Sequence, residues 1–461
     1  MDSQKQKIKV GFMPYGVHVG VKDATDRYFI DEDLMRSAQN MLAENGLSVV
    51  ASDEVVAYKP QAKAALEKFI AEDIDVLVMY ASTWVWASEI VWMAREINRK
   101  IILWAPAVSR GWPHVGATVV HGALAEVGIQ HKFVIGMPDD AATQRKLLQA
   151  IRAAKAIKQM NGSTFGLIGG RGMGQTPGVA DPSQLMRIFG MDLEHTDQLI
   201  VMEKAKAQDL EAVRAAYAQM QCKFDEMPPL DGMDSIMERS VRLYLALKEL
   251  YKEKNYDFAS VKCYPELGDS YATPCLAQSL MSDEGYTSSC IGDINTALSA
   301  HALGALSDEA VFSGDVQQVQ YLENVVKVVC DGGCPPSLRA CAAHCKVCMR
   351  GLPTEGAEGG MGISTVLKEG RCTLAHLARV NGEYIMHITP GTVFVPPPHE
   401  LPERLRECGM PHWSHAFVKI DGDGEKYYQN QYSEFTSLGY GDLTQGMIDF
   451  CEFAGIGYVV S

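Results

Sequence analysis

Ionisable side chains follow three consecutive strand patterns in the middle of the sequence. The segments VKCYPE, SSCIGD and AVFSGD each begin with a short strand pattern and end at Glu266, Asp293 or Asp315, and the first also carries Lys262. Burying an unpaired charge is costly, so charged residues at such positions need a partner or a function. Because the carboxyl ends of parallel strands meet at one edge of a sheet, the sequence predicts a site there.

A purely structural role is available for one of these carboxylates, Asp293, but not for Asp315. DINTALSAHALGAL is typical of a helix, and Asp293 stands at its start, where an aspartate commonly caps a helix. No cap pattern follows Asp315, where the chain continues VQQVQ. Asp315 is therefore the better candidate for chemistry, whereas capping alone is a sufficient explanation of Asp293.

Two histidines near the end of the sequence are candidates to complete this site. His412 and His415 flank a turn in GMPHWSHAFVKIDGD, just before a predicted strand. Oxygen and imidazole ligands without thiolates suit manganese, magnesium or zinc, and a carboxylate-rich set favours manganese. We therefore expect a divalent metal, with Mn²⁺ preferred.

Three further motifs are less specific. Trp84 in STWVWASE follows a predicted strand, where ligands collect in open α/β sheets, although it fits a core position equally well. GLIGGRGMGQTPG lacks the glycine spacing of a dinucleotide fingerprint, so it predicts a close backbone approach to a ligand or neighbouring domain. The cysteines between Cys330 and Cys348, with His344, have spacings that resemble a zinc site, but inert thiols explain them better.

Strands and helices that position these residues are evident from the patterning. Residues 7–138 alternate apolar strands such as IDVLVMYAS with amphipathic helices, which predicts a parallel sheet covered on both faces. The alternation restarts at STFGLIGG, and after about residue 326 short strands and turns replace the helices. The predicted fold class is α/β, with two stacked doubly wound parallel-sheet domains (1–160 and 161–326) followed by a β-rich, barrel-like domain (327–461).

Composition excludes several classes of protein. The 461 residues carry 42 basic and 57 acidic side chains, and a net charge of −15 without a basic stripe argues against nucleic-acid binding. The uncharged run at 76–88 is too short to span a bilayer, and MDSQKQKIKVGF has no signal-peptide core. Twelve cysteines at scattered spacings indicate reduced thiols, so we expect a cytoplasmic protein.

In their order and spacing, segments over most of the chain resemble the L-fucose isomerase family and, more distantly, L-arabinose isomerase. They include STWVWASE, GATVVHGALAEVGI, GGRGMGQTPG, VKCYPEL, CIGDINTALS, VFSGD, GMPHWSHAF and GYGDLTQGMIDFCEFAGI. The resemblance implies two α/β domains and a β-rich third domain in a hexamer or trimer with sites near subunit interfaces. It also implies aldose–ketose isomerisation through an enediol that a divalent metal, usually manganese, stabilises.

The resemblance further implies roles for individual residues. The family's metal-binding aspartate corresponds to Asp315, and its metal-binding histidine to His412 or His415. His415 is preferred because a strand starts directly after it, which leaves His412 as a substrate contact. The family's substrate-lining tryptophan corresponds to Trp84, and the methionine of its glycine turn to Met173.

One residue departs from the family pattern. The family motif C-E-x-D has a glutamate that is both metal ligand and base, and Ile291 stands in its place here. Glu266 or Asp293 is then the expected replacement base, or the metal is held differently. Lys262 stands where the family has a polar substrate contact, and its charge favours a sugar with a sulfonate or carboxylate.

The predicted function is therefore an aldose–ketose isomerase for a free or acid-substituted, for example sulfonated, sugar. A sugar-acid lyase or epimerase would use the same enediolate, and a sugar-binding protein that has lost catalysis would explain Ile291. The expected partners are the sugar and further copies of the chain, with neither nucleic acid nor a membrane.

Overall fold

A computed structural model describes residues 7–17, 28–172, 174–231, 235–330, 333–340, 345–350 and 359–461. The chain divides into two compact units. Unit 1 comprises Met1–Gln159 and Ile448–Ala454, and unit 2 comprises Met160–Met447 and Gly455–Ser461. Within the described ranges, no helix combines the length and the apolar character that crossing a bilayer requires.

Unit 1 is built on a parallel five-stranded sheet flanked by helices. Its strands are β1 (Lys9–Tyr15), β2 (Ser48–Ala51), β3 (Val76–Ala81), β4 (Lys100–Ala105) and β5 (His131–Ile135). Its helices are α1 (Glu32–Glu44), α2 (Lys59–Ala71), α3 (Ala87–Ile97), α4 (Pro113–Glu126) and α5 (Ala141–Met160). The strand order is β2-β1-β3-β4-β5, and the central strand β3 is buried throughout, as expected for a sheet covered on both faces.

Unit 2 contains a second parallel sheet with helices. Its strands are β6 (Thr164–Ile168), β7 (Asp192–Thr196), β8 (Phe258–Val261) and β9 (Thr287–Cys290), in the order β7-β6-β8-β9. The helices of this part are α6 (Pro182–Phe189), α7 (Gln198–Lys206), α8 (Leu210–Gln221), α9 (Ile236–Lys254), α10 (Glu266–Ser270), α11 (Cys275–Asp283) and α12 (Ile294–Ser307). The two predicted parallel sheets are thus confirmed.

The rest of unit 2 is β-rich, as predicted. A large sheet comprises β10 (Phe312–Gln320), β11 (Val325–Val329), β14 (Gly370–Val380), β15 (Glu383–Phe394), β16 (His415–Ile420), β17 (Phe435–Tyr440) and β18 (Gly457–Val460). A separate hairpin pairs β12 (Lys346–Arg350) with β13 (Gly360–Ser364), and the short helices are α13 (Leu401–Arg406) and α14 (Gly424–Gln429). Helix α15 (Thr444–Ala454) begins in unit 2, and its residues from Ile448 onward belong to unit 1. The order is β14-β17-β10-β11-β16-β15-β18, and β14 also pairs with β15, which closes six strands into a barrel.

One predicted strand belongs to a different sheet. The sequence pattern predicted Asp315 at the carboxyl end of a third parallel strand, next to the strand that precedes Asp293. Strand β10 instead pairs antiparallel with β11 and β17, and Asp315 lies inside it. The alternating polar residues of SGDVQQVQ explain this, because a strand of an antiparallel sheet can leave one face polar. The division into three domains stays a prediction.

The barrel core contains two neutral histidines. His376 on β14 and His387 on β15 are direct cross-strand partners, and both are buried. Burial lowers the pKa of His376 to about 3 and that of His387 to about 4. Neither ring nitrogen of His376 has a hydrogen-bond partner among the described residues.

We predict that acid destabilises the protein through these histidines. A group whose folded pKa lies below its unfolded value of about 6.5 binds more protons when unfolded, so stability falls as the pH drops below 6.5. The free energy of unfolding falls between pH 7 and pH 4.5, and in His376→Leu this fall should be smaller than in wild type by on the order of 2–3 kcal/mol. Urea unfolding at both pH values measures this effect.

The matched control is His399→Leu, because the His399 side chain is 80% exposed. This control should keep the wild-type pH dependence. An identical loss of stability in acid for wild type and His376→Leu would contradict the prediction.

Candidate active site

Four neighbouring barrel strands each contribute one residue to a single row. The register pairs Phe435 with Asp315, Asp315 with Val329, and Val329 with His415. Directly opposed residues on antiparallel strands point to the same face of the sheet. Asp315 and His415 therefore share a face and lie two strand spacings apart, about 10 Å between backbones. We call these four residues the Asp315 row.

The Asp315 row lies on the outer face of the barrel. Val328 and Ala416, the chain neighbours of two row members, belong to the barrel core, and side chains alternate along a strand. On the outer face, Phe435 packs against Cys263 and Ile291, which follow β8 and β9. The carboxyl ends of these two parallel strands therefore pack on the row.

Asp293 caps helix α12 near the Asp315 row. Its Oδ1 accepts a hydrogen bond from the Thr296 backbone N–H at 2.9 Å, as the capping interpretation predicts. Its Oδ2 is buried and has no hydrogen-bond partner in the described ranges. Burial raises the pKa of this carboxyl above its usual range. Capping thus uses one oxygen and leaves the other available for a proton.

A second carboxyl with a raised pKa belongs to Glu434, which is not among the residues that the sequence predicted for the site. Glu434 directly precedes β17, and its carbonyl oxygen accepts a hydrogen bond from the Val316 backbone N–H at 2.7 Å. Partial burial and the nearby charge of Asp293 raise its pKa, although much of the residue is exposed and solvent weakens the effect. Neighbouring carboxyls with raised pKa values are typical of acid–base sites. A single glutamate before a strand carries no sequence signal that would have identified it.

Lys262 and Glu266 neutralise each other at the same edge of the parallel sheet. The Lys262 ammonium lies 2.6 Å from Oε1 of Glu266. The hydrogen bond from Lys262 lowers the pKa of Glu266. A carboxylate with a lowered pKa is a weaker base, so of the two expected replacement bases Asp293 has the more suitable environment.

His415 and His412 lie in different environments. His415 begins β16 and is fully buried, with Nε2 3.0 Å from the Met410 carbonyl oxygen. Such a contact requires Nε2 to donate, which in a neutral ring places the lone pair on Nδ1. His412 is exposed, and its carbonyl oxygen accepts a hydrogen bond from the Cys348 thiol. The buried, oriented ring of His415 supports its choice as the metal ligand, and this role stays a prediction.

The other predicted contacts lie elsewhere. Trp84 lies in unit 1 beyond the carboxyl end of β3, partly buried against the core of that unit and edge-to-face with Trp86. Its role as a substrate contact stays a prediction. Met173 lies outside the described residues.

Comparison with known proteins agrees with the motifs. A family profile described as "L-fucose isomerase, first N-terminal domain" matches residues 10–162. The chain is 22% identical to the sulfoquinovose isomerase of Priestia megaterium over 307 residues, covering 64% of this chain and 68% of that protein. It is 26% identical to the sulfoquinovose isomerase of Alkalicoccus urumqiensis over 198 residues, covering 42% and 44%. It is 22% identical to the L-fucose isomerase of Haemophilus influenzae over 245 residues, covering 48% and 40%. Residues 10–162 thus match a domain of the L-fucose isomerase family, and the chain resembles proteins of that family.

The apolar residue Ile291 stands where the resemblance implies a glutamate. It is 4% exposed and packs against Cys263 and Phe435. Its φ of +58° lies in the left-handed region, which β-branched residues rarely adopt. A Cβ at Gly172 would collide with the Ile291 carbonyl oxygen. The glycine turn therefore closely approaches the Ile291 segment of the same unit, and its predicted approach to a ligand or a neighbouring domain stays a prediction.

The described residues do not fit the three-ligand metal set of the family. Asp315 and His415 offer two donors on one face, but the position of the family glutamate is Ile291. The described ranges hold no group of three His, Cys, Asp or Glu side chains that could bind a metal ion. Asp315 and His415 are therefore two of the ligands that a divalent metal would need, and the described residues do not supply the third.

The cysteine cluster has the character of buried thiols. Cys330, Cys334 and Cys345 are buried, and burial raises the pKa of Cys345 to about 11, which keeps its thiol protonated. Cys341 and His344 lie outside the described residues.

Two substitutions of Asp293 separate its capping role from its acid–base role. Asp293→Asn keeps an N-cap oxygen but cannot titrate, whereas Asp293→Ala loses both functions. We expect Asp293→Ala to lower the free energy of unfolding by about 1 kcal/mol and Asp293→Asn to leave it nearly unchanged. Denaturant unfolding of both variants checks this, and equal losses would show that the cap hydrogen bond is not what Asp293 supplies.

Proposed function

We propose that the protein is an aldose–ketose isomerase that acts on a sulfonated sugar. Support comes first from the relatives, which include sulfoquinovose isomerases as well as L-fucose isomerases. The single structural observation that carries the proposal is the Asp315 row, which aligns Asp315 with His415 on one face beside the ends of β8 and β9.

In this proposal Asp293 and Glu434 move the proton. Aldose–ketose isomerisation carries a proton between C1 and C2 of the sugar, and a base works best when its pKa is close to the working pH. Burial shifts the pKa of Asp293 in that direction, and its Oδ2 is not used in the helix cap. Glu434 is the proposed second group, which exchanges protons with the sugar hydroxyls. Asp315 and His415 orient the oxygen atoms on C1 and C2.

The family's metal dependence extends to this chain as a proposal. Asp315 and His415 are the residues that we assign to a divalent metal, and Mn²⁺ is the proposed ion. When bound, such an ion supplies a positive charge that stabilises the enediolate. The ligand that replaces the family glutamate is not among the described groups.

The sulfonate preference now depends on the relatives more than on Lys262. Glu266 already neutralises the Lys262 ammonium, so a sulfonate would have to compete with this carboxylate for it. Glu266 is more than half exposed and Lys262 only 14% exposed at the side chain, so Glu266 is the partner that would move away. Assembly into a hexamer or trimer and a cytoplasmic location also stay proposals.

A second candidate function is a sugar-binding protein without catalysis. The observation that favours it is Ile291, whose apolar, buried side chain can neither bind a metal nor accept a proton. The same experiment separates the two functions, because a binding protein would retain the sugar without converting it.

We predict that purified protein with Mn²⁺ converts sulfoquinovose to its 2-ketose and exchanges the C2 hydrogen with D₂O. Asp315→Asn should lower kcat/KM by roughly 100-fold, the scale of a lost catalytic contact. Carbon-13 NMR of the product distinguishes isomerisation from a lyase or epimerase reaction. Asp442→Asn, a 64% exposed aspartate beyond β17, is the matched control and should keep the wild-type rate.

The isomerase proposal fails if no exchange occurs with sulfonated hexoses, deoxyhexoses, hexoses or pentoses while the metal is present in the sample. Retention of a sugar in equilibrium dialysis without exchange would establish the binding protein instead.

A further inference from the structure

Two cysteines lie in contact at the strand ends that pack on the Asp315 row. The Sγ atoms of Cys263 and Cys290 are 3.2 Å apart. Cys290 ends β9, and Cys263 follows the end of the neighbouring strand β8 by two residues. Since a disulfide holds its sulfurs about 2.05 Å apart, closure requires them to approach by only about 1 Å.

The burial of this pair suits an oxidisable dithiol. Cys263 is 5% exposed, whereas Cys290 is half-buried, so a small oxidant reaches Cys290 first and Cys263 is the resolving thiol. Several other thiols of unit 2, including Cys330, Cys334 and Cys372, are fully buried. Burial raises the pKa of Cys372 to about 12, which suppresses the reactive thiolate there.

We propose that Cys263 and Cys290 form a redox-active dithiol whose oxidation to a disulfide disables the candidate active site. The oxidant is a peroxide. It oxidises the Cys290 thiol to a sulfenic acid and is reduced to water. The Cys263 thiol then attacks this sulfur, the S–S bond forms and a second water leaves. Two electrons pass from the sulfurs to the peroxide, and a small dithiol reverses the reaction.

The effect on the site follows from the contacts of the pair. Cys290 immediately precedes Ile291, whose backbone already lies in the left-handed region and whose carbonyl oxygen faces Gly172 without spare room. Cys263 and Ile291 also pack against Phe435, the direct partner of Asp315. Formation of the disulfide therefore shifts Cys263 and Ile291 relative to Phe435, and this disrupts the packing of the strand ends on the Asp315 row. This second claim rests on the proposed isomerase function.

Peptide mapping of the full-length protein tests the dithiol itself. After treatment with hydrogen peroxide, mass spectrometry should find a peptide cross-linked through Cys263 and Cys290, and dithiothreitol should remove it. Cys263→Ser and Cys290→Ser should lack this peptide, whereas Cys222→Ser, which alters an exposed cysteine, should keep it. A map with other pairings, or with overoxidised thiols and no such peptide, overturns the proposal.

The rate of sugar conversion by the same samples tests whether oxidation of the two cysteines disables the candidate active site. Oxidation should lower the rate at least 10-fold in wild type and Cys222→Ser, with recovery in dithiothreitol, and should leave the rate of Cys263→Ser unchanged from its own reduced value. A cross-link that leaves the wild-type rate intact overturns the claim of control. If reduced wild-type protein converts no sugar, the proposed function and the claim that oxidation controls the site both fail. The peptide map still shows whether Cys263 and Cys290 form a disulfide.

Discussion

The register of four antiparallel barrel strands is the constraint on which the candidate site depends. Because side chains alternate along a strand, a slip of one residue in β10 or β16 would turn Asp315 or His415 into the barrel core. The core prevents this, since Phe312, Val328 and Ala416 fill it from the opposite face of the same strands. Burying a carboxylate among these side chains would cost several kcal/mol, so the apolar pattern also fixes where the polar residues lie.

Helix α12 links the barrel to the second parallel sheet. Its sequence INTALSAHALGALS is apolar almost all round, which is typical of a helix buried on every side. It packs against β8 and β9 on the parallel sheet and against β14 and β17 on the barrel. A side-chain hydroxyl joins the helix to the barrel: Ser437 on β17 donates to the Thr296 carbonyl oxygen, and its hydroxyl also lies 2.8 Å from that of Ser313 on the neighbouring strand β10. The same burial raises the pKa of Asp293 at the start of this helix.

Local structure could be predicted from the sequence, whereas pairings between strands that are distant in the chain could not. Alternating apolar strands and helices predicted both parallel sheets, short strands with turns predicted the barrel, and the position of Asp293 predicted its cap. The assignment of β10 was wrong because a strand after a buried helix has the same local pattern in a parallel sheet as in a barrel. Strand β10 pairs with β11, which follows it directly, and with β17, more than a hundred residues later, and the second pairing carries no local signal in the sequence.

The candidate site was predictable to the same extent. The sequence indicated Asp293, Asp315 and His415 as candidates by residue type and by resemblance, but the common face of Asp315 and His415 depends on strand register, which no local pattern carries. Glu434 was missed because its raised pKa comes from burial and from the charge of Asp293, and these are properties of the fold. The charge of Lys262 was interpreted without Glu266, although the two stand four residues apart.

The central claim is that Asp315 and His415 act as one site across the barrel strands. A double-mutant cycle on the rate of sugar conversion, with Asp315→Asn, His415→Gln and the double variant, tests this most directly. If the two residues act together, the double variant should be about as slow as the slower single variant, with a coupling energy of at least about 1 kcal/mol. Losses that add within about 0.5 kcal/mol, or single variants as active as wild type, would contradict the account.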